Sequence, residues 1–567
     1  MTYLPTPLEL DRLREVFIHI KNEKELRSEW WKNVFVETDV YRAAQETGRC
    51  IFVGRKGAGK TALISGHKIR TPDHYFVEGP ILADDFPFRI LYEYFYLGSQ
   101  KLVQKLAKRT SGDLPAIIDP LRISTFAWSS TLRCYAALLF ISKLRALDDL
   151  TDEERAELED YQNRAKRIAD VRSPSDLPAL EGPLVFFFEQ VQEVIEAVLE
   201  EDFPNVAHLL ATLTTRVNAL LSRRRPGELD SKEILETVNK ILERNDLRIL
   251  ITVDKFDDYY DHFVQNIEDP QELTFMSYLL EGMILAVRDI RSLPSFKHID
   301  LLVTVPSDRF HDLQLRERAQ IETEHVTYID WRPRELWDFA NTRIAWALGI
   351  TGEESEEVWY KIFPKTIHNR VLADVREDSF LFLARHSHWR PRDLQRYISA
   401  IISEMKESGS PADDELFHRV ISETSREIVN TGFIPEYQKS FPKLEALLNK
   451  LESIPNLPTA ISYEQLKSYV REFPYANGAS IEDTMVRLFD MGVVGVRKSR
   501  ARKMKGVNGT IKQNKVHVAY SFSYNSRSKH PFVGEDELVF HPLFYDRLDL
   551  THNQEFVIHQ MDWSMFR

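Results

Sequence analysis

Cysteine is nearly absent: only Cys50 and Cys134 occur in 567 residues. Two thiols so far apart in sequence argue against a disulfide framework and against a cysteine-built zinc site, as expected of a reducing cytoplasm. Glycine is sparse, at 21 residues, which points to a largely helical chain. No apolar run is long enough to span a bilayer. The longest, around Tyr135 to Ile141, stops far short of the ~20 residues that a crossing needs. The first residues carry Pro5, Pro7 and charges where a signal peptide would carry an apolar core, so no membrane association is expected. An excess of positive charge is also missing, since the net charge is −13 and the pI about 5.8. The molecule as a whole therefore does not suit a polyanion, and any nucleic-acid contact must come from a local basic patch. What is present, 43% hydrophobic and 28% charged residues, is the make-up of a globular chain long enough for several domains.

One stretch organises the rest. Gly54-Arg55-Lys56-Gly57-Ala58-Gly59-Lys60-Thr61 fits G-x-x-x-x-G-K-[ST], the phosphate-binding P-loop. Cys50 to Val53 before it reads as a short buried strand, and Thr61-Ala62-Leu63-Ile64 opens a helix, the setting that the motif requires. Glycines let backbone amides approach phosphates, and the helix start adds its positive dipole end. Gly54, Lys56, Gly57, Ala58, Gly59 and Ala62 would line the loop; Lys60 would reach the β- and γ-phosphates of ATP, and Thr61 would ligate Mg²⁺. The competing reading is a glycine-rich turn.

A second anchor is Leu247 to Asp254, an apolar run ending in an acid. This is the Walker B pattern: a buried parallel strand whose terminal carboxylate holds Mg²⁺ beside Thr61. Related ATPases place a further acid next, to orient the attacking water. Here that position is Lys255, which leaves Asp257 as first choice and Asp258 as second, against a plain helix-capping role. His74 to Glu78, Ile299 to Val305 and Val326 to Ile329 read as further strands, the first ended by Gly79-Pro80. At the end of the Ile299 strand, Thr304, Ser307 or Asp308 could sense the γ-phosphate. Arg309, with Arg316 and Arg318 beyond it, could act as an arginine finger or form surface ion pairs.

Residues 85–245 read as a helical insertion and a candidate partner-binding module, with a capping box at Thr151 and Glu154. Phe186 to Phe188 suits core packing, and Ser222 to Arg225 suits a helix C-terminus. Residues 349–438 read as an all-helical lid. Within it Arg390-Pro391-Arg392-Asp393 opens a helix, so Arg390 and Arg392 could report ATP against ADP, or Arg390 could merely clasp Asp393. Residues 439–567 show helices at 462–471 and 480–490 and strands near 493–496, 516–522 and 538–540, a winged-helix outline. Its long loop is basic, with Arg497, Lys498, Arg500, Arg502, Lys503 and Lys505 available to a DNA backbone or an acidic protein face. The helix that would enter a major groove carries Glu482, Asp483 and Asp490, which argues against base readout.

These residues together resemble the bacterial stand-alone P-loop ATPases of the AAA+/STAND–KAP-like group. Gly54 to Ala62, Asp254 to Asp258, Ser307-Asp308-Arg309-Phe310, Trp331, Arg390 to Asp393, Phe489 to Gly495 and His541-Pro542 carry the likeness, which spans most of the chain except residues 85–245. Two positions depart from the pattern: Pro306 stands where the group usually has arginine, and Lys255 where it often has an acidic or small residue. The resemblance implies an α/β P-loop NTPase fold with a parallel sheet, a helical lid and a winged helix. It also implies ATP-switched signalling to an effector or partner protein, homo-oligomers built through the nucleotide site, and, for some members, a place in antiphage defence. The expected domains are 1–84 and 246–348 (the two halves of the ATPase core), 85–245, 349–438 and 439–567. The expected activity is slow ATP hydrolysis in a switch, set against a DNA-engaging motor or loader and a scaffold that binds nucleotide without turnover.

Overall fold

A computed structural model describes residues 4–17, 33–46, 49–70, 75–82, 120–143, 149–169, 231–254, 270–352, 357–369, 375–438, 440–476, 478–502, 515–522 and 537–551, with isolated positions at 147, 197, 201, 208, 212, 215 and 216. Packing divides the chain into two units. One is Asp39–Arg55 with Lys60–Ile329; the other is Met1–Thr38, Lys56–Gly59 and Asp330–Arg567.

The first is an α/β unit. Its sheet contains β1 (Ile51–Gly54), β2 (Tyr75–Leu82), β3 (Arg248–Asp254), β4 (Ile299–Pro306) and β5 (Val326–Tyr328), ordered β2-β3-β4-β1-β5. Every pairing in it is parallel. β3 and β4 are nearly unbroken apolar runs because a parallel sheet is covered on both faces. Strand β2 continues through Gly79 and Pro80, which had been expected to end it. It lies at the sheet edge, where the missing proline N–H breaks no second ladder. A side chain at Gly79 would meet Leu139 and Tyr135 within 2.7 Å, so the edge strand admits helix Pro120–Ser142 only because that position is bare.

Helices Pro120–Ser142 and Ser231–Arg244 belong to the same core as the sheet. Trp128, Leu132, Phe140, Leu235 and Val238 share it with Ile249, Ile251 and Val303. These two helices, which fall in the expected insertion, thus share the sheet's core. The capping box at Thr151 and Glu154 forms. Phe186 to Phe188 and Ser222 to Arg225 lie outside the described residues.

The second unit is mainly helical. Leu10, Leu13 and Val16 of the first helix (Pro7–Val16), with Phe17 at its C-cap, share a core with Leu336, Ile344, Ile398 and Ile402, and this core continues to Val494, Leu538 and Leu550. This unit takes up the chain at Asp330, and its core draws on residues from both sides of 438. The region expected to be all-helical contains a two-stranded antiparallel sheet, β6 (Thr366–His368) with β7 (Arg376–Asp378), each too short to leave a period in the sequence. Helix Pro391–Ser408 starts on Pro391 and stops at Gly409, φ 64°. The last sheet is antiparallel, ordered β10-β9-β11-β8 from β8 (Ala460–Ser462), β9 (Val494–Arg502), β10 (Lys515–Ser521) and β11 (Glu537–Phe540). Ser462 and Ser480 cap the helices Tyr463–Val470 and Ile481–Asp490. Among the described residues no helix is long and apolar enough to cross a membrane.

Asp300 ties β4 to its surroundings. Arg248 grips it with two bonds of 2.7 Å, and Arg291 and Tyr75 reach it at 3.2 Å. Burial alone would raise the carboxyl pKa; the Arg248 and Arg291 guanidiniums bring it below the ordinary value. The stabilisation is therefore present above about pH 4, where the unfolded carboxyl ionises, and is lost as pH falls through the lower folded value. Asp300→Asn should cost about 1.5–3 kcal/mol at neutral pH, measured by urea unfolding, and should flatten the acid limb of the stability curve.

Candidate functional site

Lys60, Thr61, Asp254 and Thr304 meet at the carboxyl ends of β1, β3 and β4. The chain leaves β1 for the far edge at β2 and later returns to β5 on the other flank of β1, the topology that opens a crevice at strand ends. Asp254 is 7% exposed and Thr304 1%. The Thr61 hydroxyl donates to Asp254 Oδ2 at 2.8 Å, and the Thr304 hydroxyl donates to Oδ1 at 2.5 Å. Parallel register explains the second bond: Val253 pairs with Val303, so the next residues of the two strands lie side by side. Lys60, 8% exposed, donates from Nζ to the Gly54 carbonyl at 3.1 Å. Among the described residues no cation forms an ion pair with Asp254. A nearly buried carboxylate that is held, among the described residues, by neutral hydroxyls is a candidate for one side of a cation site.

The donor set suits Mg²⁺. Among the described residues no group of three or more His, Cys, Asp or Glu gathers to cage a metal. Magnesium commonly takes one carboxylate, a hydroxyl, phosphate oxygens and waters, and Thr61 with Asp254 would be the residues to hold it.

Loop residues 56–59 pack with the helical unit. Gly57 and Gly59 have φ of 83° and 95°, open to glycine and strained for other residues. Gly57 also lies against Arg392, whose Cβ, Cδ and Nε stand 3.0–3.2 Å from where a Cβ at 57 would be. The Trp331 indole donates to the Ala58 carbonyl at 2.7 Å. Arg390 Nη1 donates to the Lys56 carbonyl at 3.2 Å. Ala62 lies in the first turn of helix Lys60–Arg70.

Arg390 is not a free phosphate ligand. It is 3% exposed and paired with Asp393 at 2.8 Å and Glu436 at 3.1 Å. Burial alone would lower its pKa, yet the two carboxylates raise it overall. This is the clasp alternative, with a second carboxylate that sequence reasoning missed, because nothing local in Ile434-Pro435-Glu436 distinguishes Glu436. Arg309 stands 3.6 Å from Asp308 on the short helix Ser307–Asp312, and Arg316 is exposed. Arg318 pairs with Glu322 at 2.7 Å and donates to the carbonyls of Phe310, His311 and Leu313. Lys255, Asp257 and Asp258 lie outside the described residues.

The basic loop is shorter than expected. Arg497 to Arg502 belong to β9, where antiparallel pairing with β10 overrides weak local propensity. Arg497, expected to face a phosphate backbone or an acidic protein, is paired with Glu537. Lys498, Arg500 and Arg502 pair in register with Ala519, His517 and Lys515. Lys503 and Lys505 lie outside the described residues. Burial pushes the Cys50 thiol up to about 12 and that of Cys134 to about 11, so both stay protonated and unreactive.

No family model matches the chain. It is 23% identical over 343 residues to a protein of Escherichia coli (strain K12) described as "Putative transposon gamma-delta 80.3 kDa protein", a match covering 57% of this chain and 43% of that protein. The chain thus spans less than half the length of this relative.

Arg390→Ala would strand Asp393 in the core beside Glu436. The nucleotide-free protein should lose about 3–5 kcal/mol, read by denaturant unfolding. A residue serving only to touch a ligand would leave that value unchanged.

Proposed function

We propose that this protein binds Mg-ATP on the Gly54–Thr61 loop and hydrolyses it slowly as a nucleotide-controlled switch acting on a partner protein. The observation that carries this reading is the meeting of Thr61 and Asp254 at 2.8 Å, with no cation paired to the carboxylate among the described residues. Lys60 would exchange the Gly54 carbonyl for phosphate oxygens. Bound Mg²⁺ would polarise and neutralise the phosphoryl oxygens. Asp254 and Thr61 would hold that ion, and Thr304, on the other carboxylate oxygen, would fix the orientation of Asp254. Backbone amides of residues 56–59, bent by Gly57 and Gly59, would cradle the phosphates.

Turnover is expected to be slow because Lys255 replaces an acid directly after Asp254. The output would run through the loop itself. The Lys56 carbonyl is gripped by Arg390, so a shift of the loop is felt at the start of helix Pro391–Ser408. Assembly through the nucleotide site and a place in bacterial antiphage defence follow from the resemblance, an association rather than chemistry.

A second reading, engagement of a DNA backbone, is favoured by one element. The β8-β11-β9 arrangement with the helices Tyr463–Val470 and Ile481–Asp490 suits a winged helix, and the β9–β10 hairpin carries Lys498, Arg500 and Arg502. The partial relative is described as a putative transposon protein.

Isothermal titration with Mg-ATP tests the first reading. Lys60→Ala should weaken binding at least tenfold, and unchanged affinity would remove the site assignment. Phosphate release no faster than that of Asp254→Ala would leave a non-hydrolysing scaffold instead. For the second reading, duplex DNA should bind with steep salt dependence, lost when Lys498, Arg500 and Arg502 are changed to Glu; binding unaffected by those changes would dismiss it.

A further inference from the structure

Within the helical unit lies a cavity of about 660 Å³. One wall is a face of helix Pro391–Ser408 bearing Arg392, Arg396, Ala400 and Ser403, residues spaced about one turn apart. Opposite are Arg14 and Phe17 at the end of the first helix. A third wall is Ile428–Phe433, a stretch of π-helix that follows helix Asp414–Glu427 and contributes Thr431 and Gly432. Such wide turns recur at functional sites. Lys60, Thr61 and Asp254 are not among the lining residues.

The cavity is cationic beyond what its own acids balance. Arg14, Lys56, Arg390, Arg392 and Arg396 line it, against Asp393, Glu427 and Glu436. All three carboxylates are engaged by arginines. Arg390 takes Asp393 and Glu436, while Arg396 takes Glu427 at 2.7 Å and the Thr431 hydroxyl at 2.9 Å. Arg14 and Arg392 stand outside these pairs. Arg392 Nε is buried and has no hydrogen-bond partner among the described residues, a costly arrangement unless an acceptor arrives. Gly432 preserves the space, since a Cβ there would stand 3.1 Å from Arg396 Nη1.

We propose that this cavity is an effector site for a small phosphate-bearing molecule, gripped by Arg14 and Arg392 through its phosphoryl group. Guanidinium forks match phosphate oxygens in bidentate geometry, and the volume is that of a small-ligand pocket. Phe17, Ala400 and Ile428 offer apolar surface to the remainder of the ligand. The consequence of binding is local. Arg392 is the residue that touches Gly57, so occupancy would bear on the same loop that Arg390 grips at Lys56. The cavity stands as a site whether or not the loop binds ATP.

Inorganic pyrophosphate is the probe, titrated calorimetrically into the full chain carrying Lys60→Ala. Saturable binding at one site is expected. Adding Arg14→Glu, a change at an exposed position, should weaken it at least tenfold, and adding Ala400→Trp should abolish it by filling the space. Arg14→Glu alone should leave ATP affinity within twofold of wild type. Melting curves accompany both variants; if Ala400→Trp unfolds early, Arg14→Glu decides. Absence of saturable binding, binding indifferent to Arg14→Glu, or citrate binding as tightly as pyrophosphate would overturn the proposal. Failure of ATP to bind the unaltered chain would overturn the nucleotide reading and leave this one intact.

Discussion

A carboxylate at the end of a buried strand, bonded by two hydroxyls and, among the described residues, paired with no cation, is the constraint on which the proposed site depends. Asp254 reaches this position because β3 is apolar through most of its length, Ile249 to Val253, and hydrophobic burial fixes it inside the sheet. β4 lies between β3 and β1 and delivers Thr304 to one oxygen. The helix that begins at Lys60 delivers Thr61 to the other. An anion so placed has lost most of its water, and hydroxyl dipoles replace only part of that solvation. A hard divalent cation would supply the missing charge, which is the ground for proposing Mg²⁺ with a phosphate ligand here.

The helical unit is organised around a second set of buried polar contacts, centred on residues 388–393. Trp389 has φ of 51°, a strained value for a bulky residue, immediately before the Arg390 clasp. His388 donates from Nε2 to the Gly492 carbonyl at 3.1 Å and packs against His541 at 4.3 Å between ring centres. Arg390 meanwhile holds Lys56, and Trp331 holds Ala58. One short segment is therefore bonded both to the loop residues and to the C-terminal sheet region. A switch needs such a two-ended element, because a change at one end must have a fixed lever to act on.

Much of the fold was legible in the sequence, and the reasons are physical. The β1, β3 and β4 runs are apolar and bounded, so burial leaves little choice of conformation. Ser462 and Ser480 announce their helices because a hydroxyl at an N-cap satisfies an otherwise orphaned amide. The loop motif announces Lys60 and Thr61, and Asp254 follows as the acid at the end of a buried strand. What escaped was set by tertiary partners. Arg390 reads equally well as a sensor or a clasp until Glu436, 46 residues away in sequence, is brought beside it. Arg497 reads as part of a basic loop until β10 and Glu537 pair with it. The membership of residues 4–17 in the helical unit depends on a core shared with distant residues such as Leu336, Ile398 and Ile402, which no local pattern could disclose.

The central claim is that Thr61 and Asp254 serve one shared ion. A double-mutant cycle on the Mg²⁺-dependent part of ATP affinity tests it, using Thr61→Ala, Asp254→Asn and the double variant. The account predicts strong coupling: either change alone removes most of the Mg²⁺ dependence, and the second adds little. Independent, additive losses, or Mg²⁺ dependence surviving in the double variant, would contradict it.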